Sequence, residues 1–210
     1  MTRQLEHFPN LVTMFFKRAS QRGDAPFLWS KKEGEWRSTS WREAAEKVSS
    51  MTAALQGIGL KPGDTVMLVS ENRPEWCIAD LAIMAAGCVT VPTYVTNSER
   101  DHQHILDDSG ARAVIVSTNK LAKPLLPAVL RSSACEHVIG IEPIPVGQSG
   151  TVRFHDWQGL IGSEAADVEA CGNRHGLAPR AAPRLIQVAP VIHDGAASTT
   201  QLAEDLVVGG

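Results

Sequence analysis

Residues 40–141 alternate continuous apolar runs with amphipathic helical patterns, and only a few turn residues separate them. No other feature constrains the fold as much, because short connections between strand and helix build βαβ units and a parallel sheet. The series opens at Ser40-Trp41-Arg42-Glu43, the capping-box spacing in which hydroxyl and carboxylate each satisfy an orphan backbone N–H. The apolar face of that helix runs through Ala44, Val48, Met51, Ala54, Leu55 and Ile58, and Gly57 and Gly59 give it a permissive end. The turn Lys61-Pro62-Gly63-Asp64 leads into Thr65–Val69, a strand without polar alternation and so expected to be buried on both faces. Asn72 is expected to cap the next helix, with Pro74 in its first turn and Gly87 stopping it after Ala86. A strand at 89–92, a helix at 98–108, a strand at 113–117, a helix at 121–130 in spite of Pro124 and Pro127, and a strand at 137–141 complete the series. Ahead of it, Leu11–Arg22 reads as a helix, and residues 25–29 and 35–39 as two short strands around a turn. The expected fold class is α/β, with mainly parallel strands and flanking helices.

Composition removes several function classes. Hydrophobic residues are 43% and charged residues 20%, ordinary globular values that exclude a fibrous or wholly disordered chain. The net charge of −3 offers no basic excess for nucleic acid. Cys77, Cys88, Cys135 and Cys171 are widely spaced, without any C-x-x-C, so they read as free thiols in a reducing compartment. No apolar run reaches the roughly 18 residues of a spanning helix, and the expected location is the cytoplasm. The last part of the chain differs from the rest. All seven lysines lie at or before Lys123 and all eleven aromatic residues at or before Trp157. Residues 166–210 are therefore expected to be an atypical, poorly ordered tail.

The candidate motifs are weak. Gly57-x-Gly59-x-x-x-Gly63 has glycines near dinucleotide-fingerprint spacing, but it follows a helix and precedes a strand, the reverse of the required context. Gly147-Gln148-Ser149-Gly150 lacks both the flanking strand and the lysine of a phosphate loop. His102 and His104 stand two apart on a helix, point to different sides and are expected to be solvated rather than metal ligands. Asp107 and Asp108 read as a helix end. Trp41 and Trp76 read as core anchors, with a small-molecule pocket wall as the alternative. No G-x-S-x-G elbow occurs. No catalytic, cofactor-binding or metal-binding residue is assigned.

Two stretches carry more. Residues 38–48 read Ser-Thr-Ser-Trp-Arg-Glu-Ala-Ala-Glu-Lys-Val, and residues 55–76 read Leu-Gln-Gly-Ile-Gly-Leu-Lys-Pro-Gly-Asp-Thr-Val-Met-Leu-Val-Ser-Glu-Asn-Arg-Pro-Glu-Trp. Residues 79–96 read Ala-Asp-Leu-Ala-Ile-Met-Ala-Ala-Gly-Cys-Val-Thr-Val-Pro-Thr-Tyr-Val-Thr. In order and spacing these resemble the amino-terminal region of the AMP-forming adenylate synthetases, most closely the long-chain fatty-acid–CoA ligases. The likeness covers roughly residues 8–141 and continues more weakly through 154–160.

The resemblance implies residues 1–165 as the amino-terminal part of an AMP-binding synthetase domain, a partial three-layer sheet. It implies ATP, magnesium and CoA as cofactors and co-substrates of the intact family, and a fatty acid as the acid that is activated. The family's phosphate loop, a Tyr-Thr-Ser-Gly-Thr-Thr-Gly-x-Pro-Lys type segment, should follow soon after residue 165, and residues 165–184 contain no such run. No catalytic residue of the family is therefore carried over. The matched Gly63, Asp64, Asn72, Pro74, Gly87 and Pro92 have structural roles.

The expectation is a ligase-family chain that is inactive by itself and binds no cofactor alone, with a tail read out of frame or, as the alternative, a divergent paralogue with a new tail. The alternatives are a non-catalytic remnant or interaction module and an unrelated nucleotide-binding α/β protein. Self-association through an incomplete sheet is expected from the open edge that a missing neighbour strand would leave.

Overall fold

The computed structural model describes residues 6–144, 150, 152–163 and 168. The elements run α1 (Leu11–Arg22), β1 (Pro26–Lys32), β2 (Glu35–Ser40), α2 (Trp41–Gly57), β3 (Thr65–Val69), α3 (Pro74–Ala85), β4 (Val89–Thr93), α4 (Glu99–Ser109), β5 (Ala113–Val116), α5 (Asn119–Arg131), β6 (His137–Gly140), β7 (Arg153–Asp156) and α6 (Trp157–Ser163). The main sheet has five strands in the order β4-β3-β5-β6-β7. Every neighbouring pair is parallel. The inner strands β3, β5 and β6 are buried on both faces: Val66, Met67, Leu68, Val69, Val114, Ile115, Val138 and Ile139 all have no exposed surface. That is why their sequences read as unbroken apolar runs.

Alternate residues feed two cores. Val66, Leu68, Ile115 and Ile139 join Phe15, Val48, Met51, Leu55, Ile83 and Trp157 on the side of α1, α2, α3 and α6. Met67, Val69, Val114 and Val138 join Leu106, Leu121, Leu125 and Val129 on the side of α4 and α5. The result is the expected three layers. A separate antiparallel hairpin, β1 with β2, precedes them. Its turn places Glu33 at φ 53° and Gly34 at φ 87°, the two positive values of a tight hairpin connection. Among the described residues no helix is long and apolar enough to cross a membrane.

The local signals correspond closely to what forms. Ser40 Oγ accepts from Glu43 N–H at 3.2 Å, while Ser40 N–H donates to Glu43 Oε2 at 2.8 Å. A second capping box joins Ser98 and Asp101 at the start of α4. Helix α5 keeps both Pro124 and Pro127. A proline frees the carbonyl four residues earlier, and here those belong to Lys120 and Lys123, both exposed to water.

Three expectations need correction. Asn72 does not cap α3: the cap position is Arg73, extended at φ −152° and ψ 159°, without a side-chain cap bond. A residue before proline is driven to extended geometry, so the cap falls next to Pro74. Helix α5 begins two residues earlier than the apolar pattern suggests, because Thr118 Oγ1 accepts from Leu121 N–H at 3.3 Å. His102 is not solvated. It is 2% exposed, one turn before buried Leu106 on the inward face of α4, while His104 is exposed.

Candidate functional site

Strand order decides where a parallel sheet can hold a ligand. The chain passes from β3 outward to β4, then crosses back over β3 to lay down β5, β6 and β7 on the other side. Connections leave β3 and β5 in opposite directions, so a crevice is expected at their carboxyl ends. The segments there are 70–73 after β3, 117–118 after β5 and 141–142 after β6.

These three segments are tied together. Ser117 N–H donates to the Val69 carbonyl at 3.0 Å, and Ser117 Oγ donates to Glu71 Oε2. Glu142 N–H donates to the Ser117 carbonyl at 3.0 Å. Arg73 donates through Nε to Glu75 Oε2 at 2.9 Å and through Nη1 to Glu142 Oε1 at 2.8 Å. Burial, the largest single influence, would raise the Glu75 carboxyl, but the Arg73 hydrogen bond, a backbone N–H and the charges of Arg73 and Lys32 together outweigh it and hold that carboxyl below its ordinary value. For Arg73, burial opposes the charge and the two carboxylates more than offset it.

This arrangement positions loops and leaves little free chemistry. Ser117 has no exposed surface, so no substrate reaches its hydroxyl. The Thr118 hydroxyl is spent on the α5 cap. The guanidinium of Arg73 is shared between two carboxylates and does not present itself to a phosphate. Among the described residues no group of three His, Cys, Asp or Glu could hold a metal ion. Neither of two hollows supplies a nucleotide pocket. One, about 150 Å³ and bordered by Lys47, Pro74, Glu75 and Trp157, is below the roughly 300–1,000 Å³ of ligand pockets. The other, about 520 Å³, is an open surface hollow bordered by Glu99, Arg100, His104 and Arg131, and Arg131 is already paired to Glu99 at 2.7 Å. The described residues therefore do not fit a triphosphate, magnesium or CoA.

The residues singled out in the sequence are scattered. Gly59 and Gly63, at φ 100° and 94°, end α2 and form the turn into β3, at the amino edge opposite the crevice. Gly63 N–H donates to the Gly87 carbonyl at 2.8 Å. Residues 147–149 of the second glycine loop lie outside the described residues, as do residues 169–210 of the tail. Asp107 accepts from Gln103 Nε2 at 2.9 Å near the end of α4, and Asp108 is exposed. Trp41 and Trp76 are half-buried and pack against the first core, as anchors do. Cys77, Cys88 and Cys135 are free thiols, and Cys171 lies outside the described residues. Burial pushes Cys88 and Cys135 up to about 11, so neither is a thiolate at neutral pH.

The sequence reading missed two groupings. The Ser117–Glu71 and Arg73–Glu142 contacts join residues 46 and 69 positions apart, beyond any local pattern. The second grouping is His137 with His155, across β6 and β7.

Comparison with known proteins agrees with this geometry. The Mycobacterium tuberculosis long-chain-fatty-acid–CoA ligase FadD15 is 34% identical over 113 residues, 54% of this chain and 19% of that protein. The long-chain-fatty-acid–CoA ligase of Escherichia coli O6:H1 is 30% identical over 135 residues, 64% of this chain and 23% of that protein. The matched stretch thus spans about a fifth of the length of these relatives. The fold is shared with the anthranilate CoA ligase AuaEII, at a TM-score of 0.64 and 20% identity over 77% of this chain and 29% of that one. A benzoate CoA ligase from Burkholderia xenovorans LB400 gives a TM-score of 0.60 at 24% identity, over 74% of this chain and 28% of that one. The family model of AMP-binding enzymes matches residues 15–198. That match spans well over half of the chain, and the chain belongs to the AMP-binding enzyme family.

Proposed function

We propose that this protein serves the ATP-dependent activation of a long-chain fatty acid, with residues 1–165 as the amino-terminal scaffold of the adenylating domain. In that chemistry the fatty carboxylate attacks the α-phosphorus of ATP and pyrophosphate leaves. The sulfur of CoA then attacks the acyl carbon and displaces AMP. Magnesium would supply positive charge to the phosphates in such chemistry, and the described residues offer no ligand set for it. The observation that carries this reading is the family match over residues 15–198, which includes the whole described sheet. Relatives named as long-chain-fatty-acid–CoA ligases support the choice of acid.

The part played by this chain's own described residues is positional. The ties among Glu71, Arg73, Ser117 and Glu142 fix three loop bases at the carboxyl edge, and residues 165–184, where the family's phosphate-binding loop would follow, contain no such run. These 210 residues alone are accordingly inactive, and the activity belongs in the cytoplasm, where ATP and CoA are abundant. Among the described residues β4 and β7 are the edge strands of the sheet, which supports self-association through an incomplete sheet. The test is the coding DNA downstream of codon 160, read in three frames. A frame that encodes a Thr-Ser-Gly-rich loop ending in lysine, followed by further family motifs, is expected. If no frame encodes one, the family match reflects ancestry and the proposed activity falls.

A further inference from the structure

Among the described residues strand β7 pairs with β6 alone, over the four-residue register from His137↔Arg153 to Gly140↔Asp156. Across this seam His137 Nδ1 stands 3.0 Å from His155 Nε2, with ring centroids 5.2 Å apart. His137 is 1% exposed. A hydrogen bond between two imidazole nitrogens needs one N–H and one bare lone pair, so at least one ring must be neutral. Two imidazolium rings present donors to each other and repel.

We propose that the His137–His155 pair is a proton-operated latch. It holds β7, and α6 behind it, on the sheet while a ring is neutral, and releases them when both rings are protonated.

The surroundings favour a sharp response. Arg153 of β7 faces both rings, and Arg112 at the foot of β5 faces His137. The carboxylate at hand is Glu136, whose Oε2 lies 3.9 Å from His137 Nε2, but that oxygen also accepts from Arg112 Nη2 at 2.8 Å. Cys135 Sγ lies 3.6 Å from the His137 carbonyl and stays a neutral thiol. Burial and these cations both push the two imidazoles below their ordinary value. Release would carry α6 with it, because Asp156 Oδ2 accepts from Gly159 N–H at 2.7 Å and Trp157 follows β7 directly. Trp157 is 1% exposed, so opening would bring a large apolar ring into water.

Hydrogen exchange on the whole chain tests this, with rates corrected for intrinsic pH dependence. Residues 153–163 are compared with β3 between about pH 7.5 and about pH 5.5. Below about pH 6.5 the opening of 153–163 is expected to rise about tenfold to a hundredfold per pH unit, for one or two protons taken up, and to stay more frequent than the opening of β3 throughout. In His155→Gln, whose amide hydrogen-bonds but does not titrate, the step should shrink to about tenfold or less. Should that variant misfold, the wild-type comparison decides alone. A flat profile for 153–163 overturns the latch, as does opening of 153–163 that never exceeds that of β3, or a step that His155→Gln leaves unchanged.

Discussion

Replacing Leu68 by alanine probes the sheet at its centre. Leu68 sits on β3 between Pro92 of β4 and Ile115 of β5, has no exposed surface and projects into the first core. Leucine to alanine removes three carbon atoms, which at about 0.8 kcal/mol each gives a transfer loss of about 2.4 kcal/mol. The parallel strands on either side restrict collapse into the void, so the full cost should be about 3–5 kcal/mol. Leu130→Ala is the matched control. Leu130 is 49% exposed on α5, and alanine is the better helix former, so its cost should stay below about 1 kcal/mol. Urea unfolding followed by far-ultraviolet circular dichroism reads both. With a slope of about 2 kcal/mol per molar urea, Leu68→Ala should lower the midpoint by about 1.5–2.5 M and Leu130→Ala by less than about 0.5 M. Equal shifts for the two variants would refute the doubly covered sheet.

Three further outcomes follow from particular contacts. His102, His137 and His155 are all held below their ordinary value by burial, so near pH 6 the unfolded chain binds more protons than the folded one. Stability should therefore be complete above about pH 7 and fall as the pH drops below about 6.5, read as the urea midpoint across that range. Gly140→Ala should destabilise by about 1–3 kcal/mol, because its Cβ would lie 2.8 Å from the Glu142 backbone carbonyl. Ser40→Ala should cost about 1 kcal/mol through loss of the α2 capping box, and Ser40→Gly only a few tenths, both by thermal melting.

Much of the fold was legible because its signals are local. The unbroken apolar run at 65–69, the capping box at Ser40–Glu43 and the glycine stop at Gly87 each depend on neighbours within a few residues. The start of α3 was misplaced because the residue before Pro74 takes the extended cap geometry that Asn72 seemed suited to fill. The burial of His102 was hidden because a polar residue at an inward position cannot be told from a surface residue without the partner layer. The ties at the carboxyl edge depend on strand order. Ser117 meets Glu71, and Arg73 meets Glu142, only because the chain crosses back over β3 before laying down β5 and β6. The His137–His155 contact needs the register of β6 against β7, and the sequence fixes neither strand's partner.

The most direct measurement is fatty-acid-dependent exchange of labelled pyrophosphate into ATP by the purified 210-residue chain, with magnesium and palmitate present. If the described sheet is scaffold and the phosphate loop is missing from residues 165–184, the chain gives no exchange above a no-protein blank, while a full-length long-chain ligase assayed alongside gives it readily. Palmitate-dependent exchange by this chain alone would mean that these residues carry an adenylating site, and the division between scaffold and chemistry proposed above would be wrong.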